Sequence, residues 1–182
     1  MSIIDKAVAA ITPPESEEAR AKATEKARAA ASGRDWLSLA LDHHEAIRSA
    51  FEAGRTAAPG TARLEAMKRL ALVLNGHSLA EEIVLYPALA KAGEKGHAGL
   101  AYTEQTTAKM QMAELERIDA SEQAWVDKLE HIRGAVLHHM YSEESDWLVE
   151  LARTEDALLH ARLSARYAEE FNRYMGPDAA MP

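Results

Sequence analysis

Two stretches of this chain carry the same set of residue types: His77, Glu81, Glu82 and Tyr86 in the first, His139, Glu143, Glu144 and Trp147 in the second. On an α-helix, positions i and i+4 lie one above the other, so each stretch aims an imidazole and a carboxylate at one point. Imidazole and carboxylate together suit iron, manganese or zinc, and a carboxylate can bridge two ions because it has two oxygens. Two such helices face to face would form a cage for cations.

The repeat reaches further upstream. His44 precedes His77, in LDHHEAIRSAF, at nearly the spacing by which Gln105 precedes His139, in YTEQTTAKMQM, and Leu41 matches Tyr102 as Arg48 matches Lys109. The chain therefore reads as two helix pairs of one design. Its ligand candidates are His44, His77, Glu81, His139 and Glu143, with Glu81 and Glu143 as bridges. Gln105 offers only a neutral carbonyl where an imidazole would be stronger. Three outcomes are open: an asymmetric two-metal site, one tightly held ion, or a bundle without metal. Tyr102, one turn before Gln105, can add a phenolate or a supporting hydrogen bond, and Lys109, one turn after it, can pair with a bridging glutamate instead of a metal.

The other histidines read differently. His44 lies within an apolar face and His43 at its margin, so His44 is the expected ligand; His139 is likewise preferred to its neighbour His138. His131 lies two turns before His139, roughly 12 Å away along a helix, too far for the same site. His97 and His160 read as structural or exposed, and Glu82 and Glu144 as outward-facing.

The elements that must position these residues are helices. The 182 residues suit one domain, rich in Ala and Leu with few aromatics, a helical composition. A formal charge of −8 with interspersed basic residues offers no face for nucleic acid. Cysteine is absent, which excludes disulfides, thiolate zinc sites, iron–sulfur clusters and thiol catalysis. No stretch approaches the roughly 20 apolar residues of a membrane span, and the first fourteen residues lack a convincing export signal. The expectation is a soluble cytoplasmic protein.

A first helix is expected from a Thr12 cap, with Pro13 at its start and Glu15 completing a capping box, to about Ala31. A second begins at Asp35 and carries Trp36, Leu37, Ala40, His44, Ile47 and Phe51 on one stripe. Gly54 and the APG at 58–60 break the chain. A long helix follows over about 61–90, with Leu64, Met67, Leu70, Leu74, His77, Glu81, Val84 and Leu85 inward, and Pro87 kinking or ending it. The next spans about 97–117 with Leu100, Gln105, Met112 and Leu115 inward. Asp119 and Glu122 offer a capping box for another, running to about 153, with Trp125, Leu129, Ile132, Val136, His139 and Glu143 inward. An amphipathic helix over about 155–175 and a short tail complete the chain. The expected fold is all-α: an up-down four-helix bundle over 35–153, an N-terminal helical extension over 1–34, and a C-terminal helix and tail over 154–182.

At these residues the sequence resembles the hemerythrin HHE family: a histidine on the first bundle helix, HSLAEEIVLYPAL on the second, and HxxxE on the fourth. The resemblance covers about Trp36 to Leu151. It implies a non-haem di-iron centre that serves in binding O2 or a related small ligand, in sensing, or in iron and redox stress responses. It implies His44, His77, Glu81, His139 and Glu143 as ligands, while Gln105 departs from the histidine usual at its position. The second reading is a bundle that works without metal as an interaction module, dimerising or docking a partner through its terminal helices. A ferritin-like oxidase is disfavoured because the one ExxH, Glu94 to His97, falls at a turn. No GxSxG, HExxH or phosphate loop is present, so no catalytic residue is assigned. Weak peroxide turnover by iron is the only enzymatic activity in view.

Overall fold

The structure, a computed structural model, describes residues 15–32, 35–154 and 156–176; the proposed cap at Thr12 and Pro13 lies outside them. The described residues form six helical segments and no strand: α1 (Glu17–Ala30), α2 (Asp35–Thr56), α3 (61–91), α4 (Lys95–Leu115), α5 (123–152) and α6 (Ala157–Met175). The expected all-helical bundle with an added helix at each end is the fold observed.

Local chemistry sets the ends. Ser16 caps α1, its hydroxyl accepting from the Ala19 amide at 3.1 Å, and Asp156 caps α6 by accepting from Leu159 at 2.9 Å. Gly60 precedes α3 at φ 87°, a conformation that costs glycine little. Gly54 does not break the chain; it lies inside α2, where a Cβ would stand 3.1 Å from the Leu129 side chain. The capping box at Asp119 does not form either. Asp119 accepts from the Ser121 amide instead, and Glu122 precedes α5 without a side-chain cap.

Both long helices change winding at the same point of the repeat. α3 runs as Thr61–Ala80, a π-helical turn Glu81–Leu85, and Tyr86–Lys91; α5 runs as Gln123–Ser142, a π-helical turn Glu143–Trp147, and Leu148–Ala152. The wider turn in α3 lets the chain pass Pro87 without ending there. It also corrects the register of the repeat. Tyr86 is the counterpart of Leu148, and Trp147 that of Leu85.

Two apolar clusters fill the interior. One gathers Trp36, Leu41, Leu89, Leu148, Tyr167 and Phe171; the other gathers Ile47, Phe51, Leu70, Trp125, Leu129 and Ile132. Each bundle helix crosses between them at a polar residue: His44 on α2, His77 on α3, Gln105 on α4 and His139 on α5. A polar layer thus cuts the core in two. Leu64 and Leu100 were expected inward but are 38% and 48% exposed, because they lie beyond the stripes that face the clusters. The terminal helices close the bundle, α1 packing on α2 and on the π turn of α5, and α6 packing on α2 and α3. At that crossing Gly76 admits α6, since a Cβ would stand 3.1 Å from Tyr174 and 3.3 Å from the Met175 sulfur.

Candidate metal centre

The polar layer brings together donor atoms of His44, His77, Glu81 and Glu143, all four residues buried and the atoms within 4.8 Å of one another. His44 Nε2 lies 3.2 Å from Glu143 Oε2, and His77 Nε2 lies 3.1 Å from Glu81 Oε2. Despite that closeness, His44 Nε2, His77 Nε2, Glu81 Oε1 and Glu143 Oε2 make no aligned hydrogen bond. Buried polar atoms are costly without a partner, and several such atoms aimed at one point fit a cation. The chemistry of the set agrees, since nitrogen and carboxylate oxygen suit divalent first-row metals.

His139 stands at the edge of this group, its Nε2 3.4 Å from Glu143 Oε1. Glu104 Oε2 accepts from its Nδ1 at 2.8 Å, which fixes the ring. Gln105 is buried as expected; its Nε2 donates to Glu81 Oε2 at 2.7 Å and to the Tyr86 hydroxyl at 2.5 Å, while its Oε1 has no partner.

Several residues lie elsewhere than the sequence reading placed them. Tyr102 turns away from the cluster: its hydroxyl donates to the Glu82 carbonyl, and it reaches the site only through edge-on packing against Tyr86 at 5.2 Å. Lys109 pairs with Glu82, not with Glu81 or Glu143. Glu144 is buried rather than outward, contacting His44 Nδ1 at 2.7 Å and Arg48 at 2.6 Å and accepting from Thr24 of α1. The repeat predicts this pairing in hindsight, for Arg48 and Lys109 are counterparts, as are Glu144 and Glu82. His43 is buried too, its Nδ1 3.0 Å from the Tyr167 hydroxyl. His138 is exposed and contacts Glu15. His160 is structural, accepting from Trp36 Nε1 and donating to the Thr154 carbonyl. Tyr86 and Tyr167 are both fully buried; the repeat marks Tyr86 only as an aromatic after the glutamates, and Tyr167 carries no signal beyond its apolar surroundings.

The electrostatics follow from burial and crowding. Burial and the neighbouring Glu143 push Glu81 up to about 8. Burial also opposes charge on His44, but contacts with Glu143 and Glu144 outweigh it and raise His44 to about 9. Burial and the other imidazoles hold His77 well below its ordinary value. Glu143 is lowered: burial works against it, but His139 and His44 prevail.

A small cavity of about 20 Å3 abuts the cluster, lined by His77, Gln105 and His139 and by apolar Ile47, Leu74 and Val136. Among the described residues no helix is long and apolar enough to cross a membrane.

These features define a helical bundle with an internal site that could hold a cation. A family model, the hemerythrin HHE cation binding domain, matches residues 37–151. The chain belongs to that family. None of the curated proteins or solved structures searched matches it.

Proposed function

We propose that this chain is a cytoplasmic hemerythrin-like protein in which His44, His77, Glu81, His139 and Glu143 hold non-haem iron, in a two-ion centre. One observation carries the reading: four buried donors within 4.8 Å whose free atoms converge without hydrogen-bond partners. When bound, iron there would supply a coordination site for O2 or a related small ligand, used for sensing, iron handling or protection from stress. The protein's own residues do the rest. Glu104 and Tyr167 orient His139 and His77 through their Nδ1 atoms, at 2.8 and 3.1 Å. Ile47, Leu74 and Val136 form the apolar side of the adjoining cavity, whose volume of about 20 Å3 is room for a small ligand.

The test is metal content of chain grown in iron-replete medium and purified without a histidine tag. His77→Ala and Glu81→Ala should lose most of the metal, while His160→Ala, at the far end of α6's contacts, should keep it. Equal metal in all three variants refutes the site. Gln105 in place of an imidazole favours a second reading, an interaction module working without metal through α1 and α6. A metal-free, helical and monodisperse product would support it.

A further inference from the structure

The His139 half of the cluster lacks the imidazole that its repeat counterpart has in His44, yet it does not lack a donor. Tyr86 is wholly buried, and its Oη stands 3.1 Å from Glu81 Oε2, 2.9 Å from Glu143 Oε1 and 3.1 Å from His139 Nε2. Bonds of about 2.1 Å would set donors on one ion roughly 3.0 Å apart at right angles and roughly 3.4 Å apart in a tetrahedron. Two of the Tyr86 distances, both 3.1 Å, fall in that range and the third, 2.9 Å to Glu143, lies just below it; the 3.2 and 3.1 Å separations in the His44 half fall within it. Four polar atoms crowd this one hydroxyl, which has a single proton to give: Glu81 Oε2, Glu143 Oε1, His139 Nε2 and Gln105 Nε2.

The backbone explains how a tyrosine five residues past Glu81 reaches the same point. On an α-helix it would sit about 140° around the axis from Glu81. The π turn replaces that geometry with an i to i+5 hydrogen bond from the Tyr86 amide to the Glu81 carbonyl, which brings Tyr86 back over Glu81. The second copy makes the same turn, with Leu148 donating to Glu143, but presents leucine. The two halves are therefore complementary: histidine with leucine in one, glutamine with tyrosine in the other.

The geometry points to Tyr86 as a metal donor whose oxygen, with His139, Glu81 and Glu143, completes a second cation set and replaces the imidazole absent at Gln105. The cation takes the place of the phenolic proton, which leaves to solvent. Gln105 Nε2, 2.5 Å from Oη, steadies that oxygen by donating to it. This assignment rests on the metal-centre reading above and deepens it.

The full chain is reconstituted with iron and oxidised with ferricyanide. It should show a visible phenolate-to-iron(III) charge-transfer band and about two irons per chain. Tyr86→Phe should lose the band and fall to about one iron, whereas Tyr86→His should lose the band but keep about two. Tyr102→Phe should keep both band and iron. Iron bound without the band, or the band surviving in Tyr86→Phe, overturns Tyr86 as a donor while leaving the metal centre standing. No iron bound by the unaltered chain overturns both.

Discussion

The Tyr167 hydroxyl lies 3.1 Å from Nδ1 of His77, so the last helix of the chain holds a ring whose other nitrogen faces the donor cluster. The same hydroxyl is 3.0 Å from Nδ1 of His43. One tautomer satisfies all three groups. His77 keeps its proton on Nδ1 and donates it to the tyrosine oxygen, leaving Nε2 free to bind a cation; Tyr167 then donates to His43. That requires a neutral His43, and burial together with the nearby His44 lowers His43 to about 4. α6 is thus part of the site.

Tyr167→Phe should therefore weaken metal binding by roughly 10- to 100-fold, the range seen when a partner of a liganding histidine is lost. The ring still fills its pocket, so helicity should be kept, while the buried His43 and His77, left without that hydroxyl, should lower the stability of the metal-free chain by about 1–3 kcal/mol. Competition against a chelator of known affinity measures the first, and circular dichroism the second. Unchanged affinity would remove Tyr167 from the site's architecture.

Gly76→Leu should dislodge α6, because Tyr174, Met175 and Phe171 already occupy the space within 3.4 Å of the missing Cβ. Overpacking there should cost about 1–3 kcal/mol, read as a lower denaturant midpoint. Metal affinity should fall with it, since Tyr167 moves with the helix. Full stability in this variant would show that α6 docks elsewhere.

Glu144→Ala should be among the more damaging single substitutions. It strips the fully buried His44 of its Nδ1 partner and, among the described residues, leaves Arg48 with only Glu45 and Thr24 with only the Arg20 carbonyl. The expected loss is about 2–3 kcal/mol in urea unfolding of the metal-free chain. The half-buried counterpart, Glu82→Ala, should cost under about 1 kcal/mol because Lys109 keeps water. Equal costs for the two would contradict the buried placement of Glu144.

Metal uptake should release protons. Glu81 at about 8 and His44 at about 9 both hold protons at neutral pH in the metal-free chain, and both must lose them to act as donors. The sign is fixed: affinity rises as pH rises through 8 to 9, and for the ion that displaces the Tyr86 proton it goes on rising, because burial and the two carboxylates hold that phenol well above its ordinary value. Calorimetry at pH 7 in two buffers of different ionisation enthalpy should therefore give different apparent heats. Identical heats in both buffers would show that the cluster is already deprotonated.

The same raised values shape stability without metal. A group whose folded value exceeds its unfolded one stabilises the fold below the unfolded value and loses that contribution as pH climbs through the folded value. Glu81 and His44 should thus make the metal-free chain melt at lower temperature between about pH 7 and 9. Bound metal, taking the place of those protons, should flatten that decline. A metal-free melting temperature constant over this window would argue against the crowded carboxylates.

Local signals in the sequence carried the helices and the two inward HxxxE pairs, because amphipathic period and the i, i+4 relation are properties of a single helix. The caps were not read there: Ser16 and Asp156 cap helices whose starts were set elsewhere or left open, and Asp119 chose its own turn over capping α5. Gln105 also declared itself, since the repeat exposes it as the odd residue opposite His44. Helix phase alone mislaid Leu64, Leu100, His43 and Glu144, all near the edges of their stripes. A stripe's margin becomes inside or outside only when a neighbour covers it, and α1 and α6 are the neighbours that bury Glu144 and His43.

Residue types and spacing by themselves thus determined an all-helical bundle with imidazole and carboxylate at its centre, and the motifs at those residues carry the resemblance to the hemerythrin HHE family. The tertiary structure decided which further groups meet that centre. Tyr86 reaches it because a π turn winds the chain back over Glu81, and Tyr167 because Gly76 lets α6 approach. Neither relation is visible in a 3.6-residue period, since one depends on a local change of winding and the other on contact between segments about ninety residues apart.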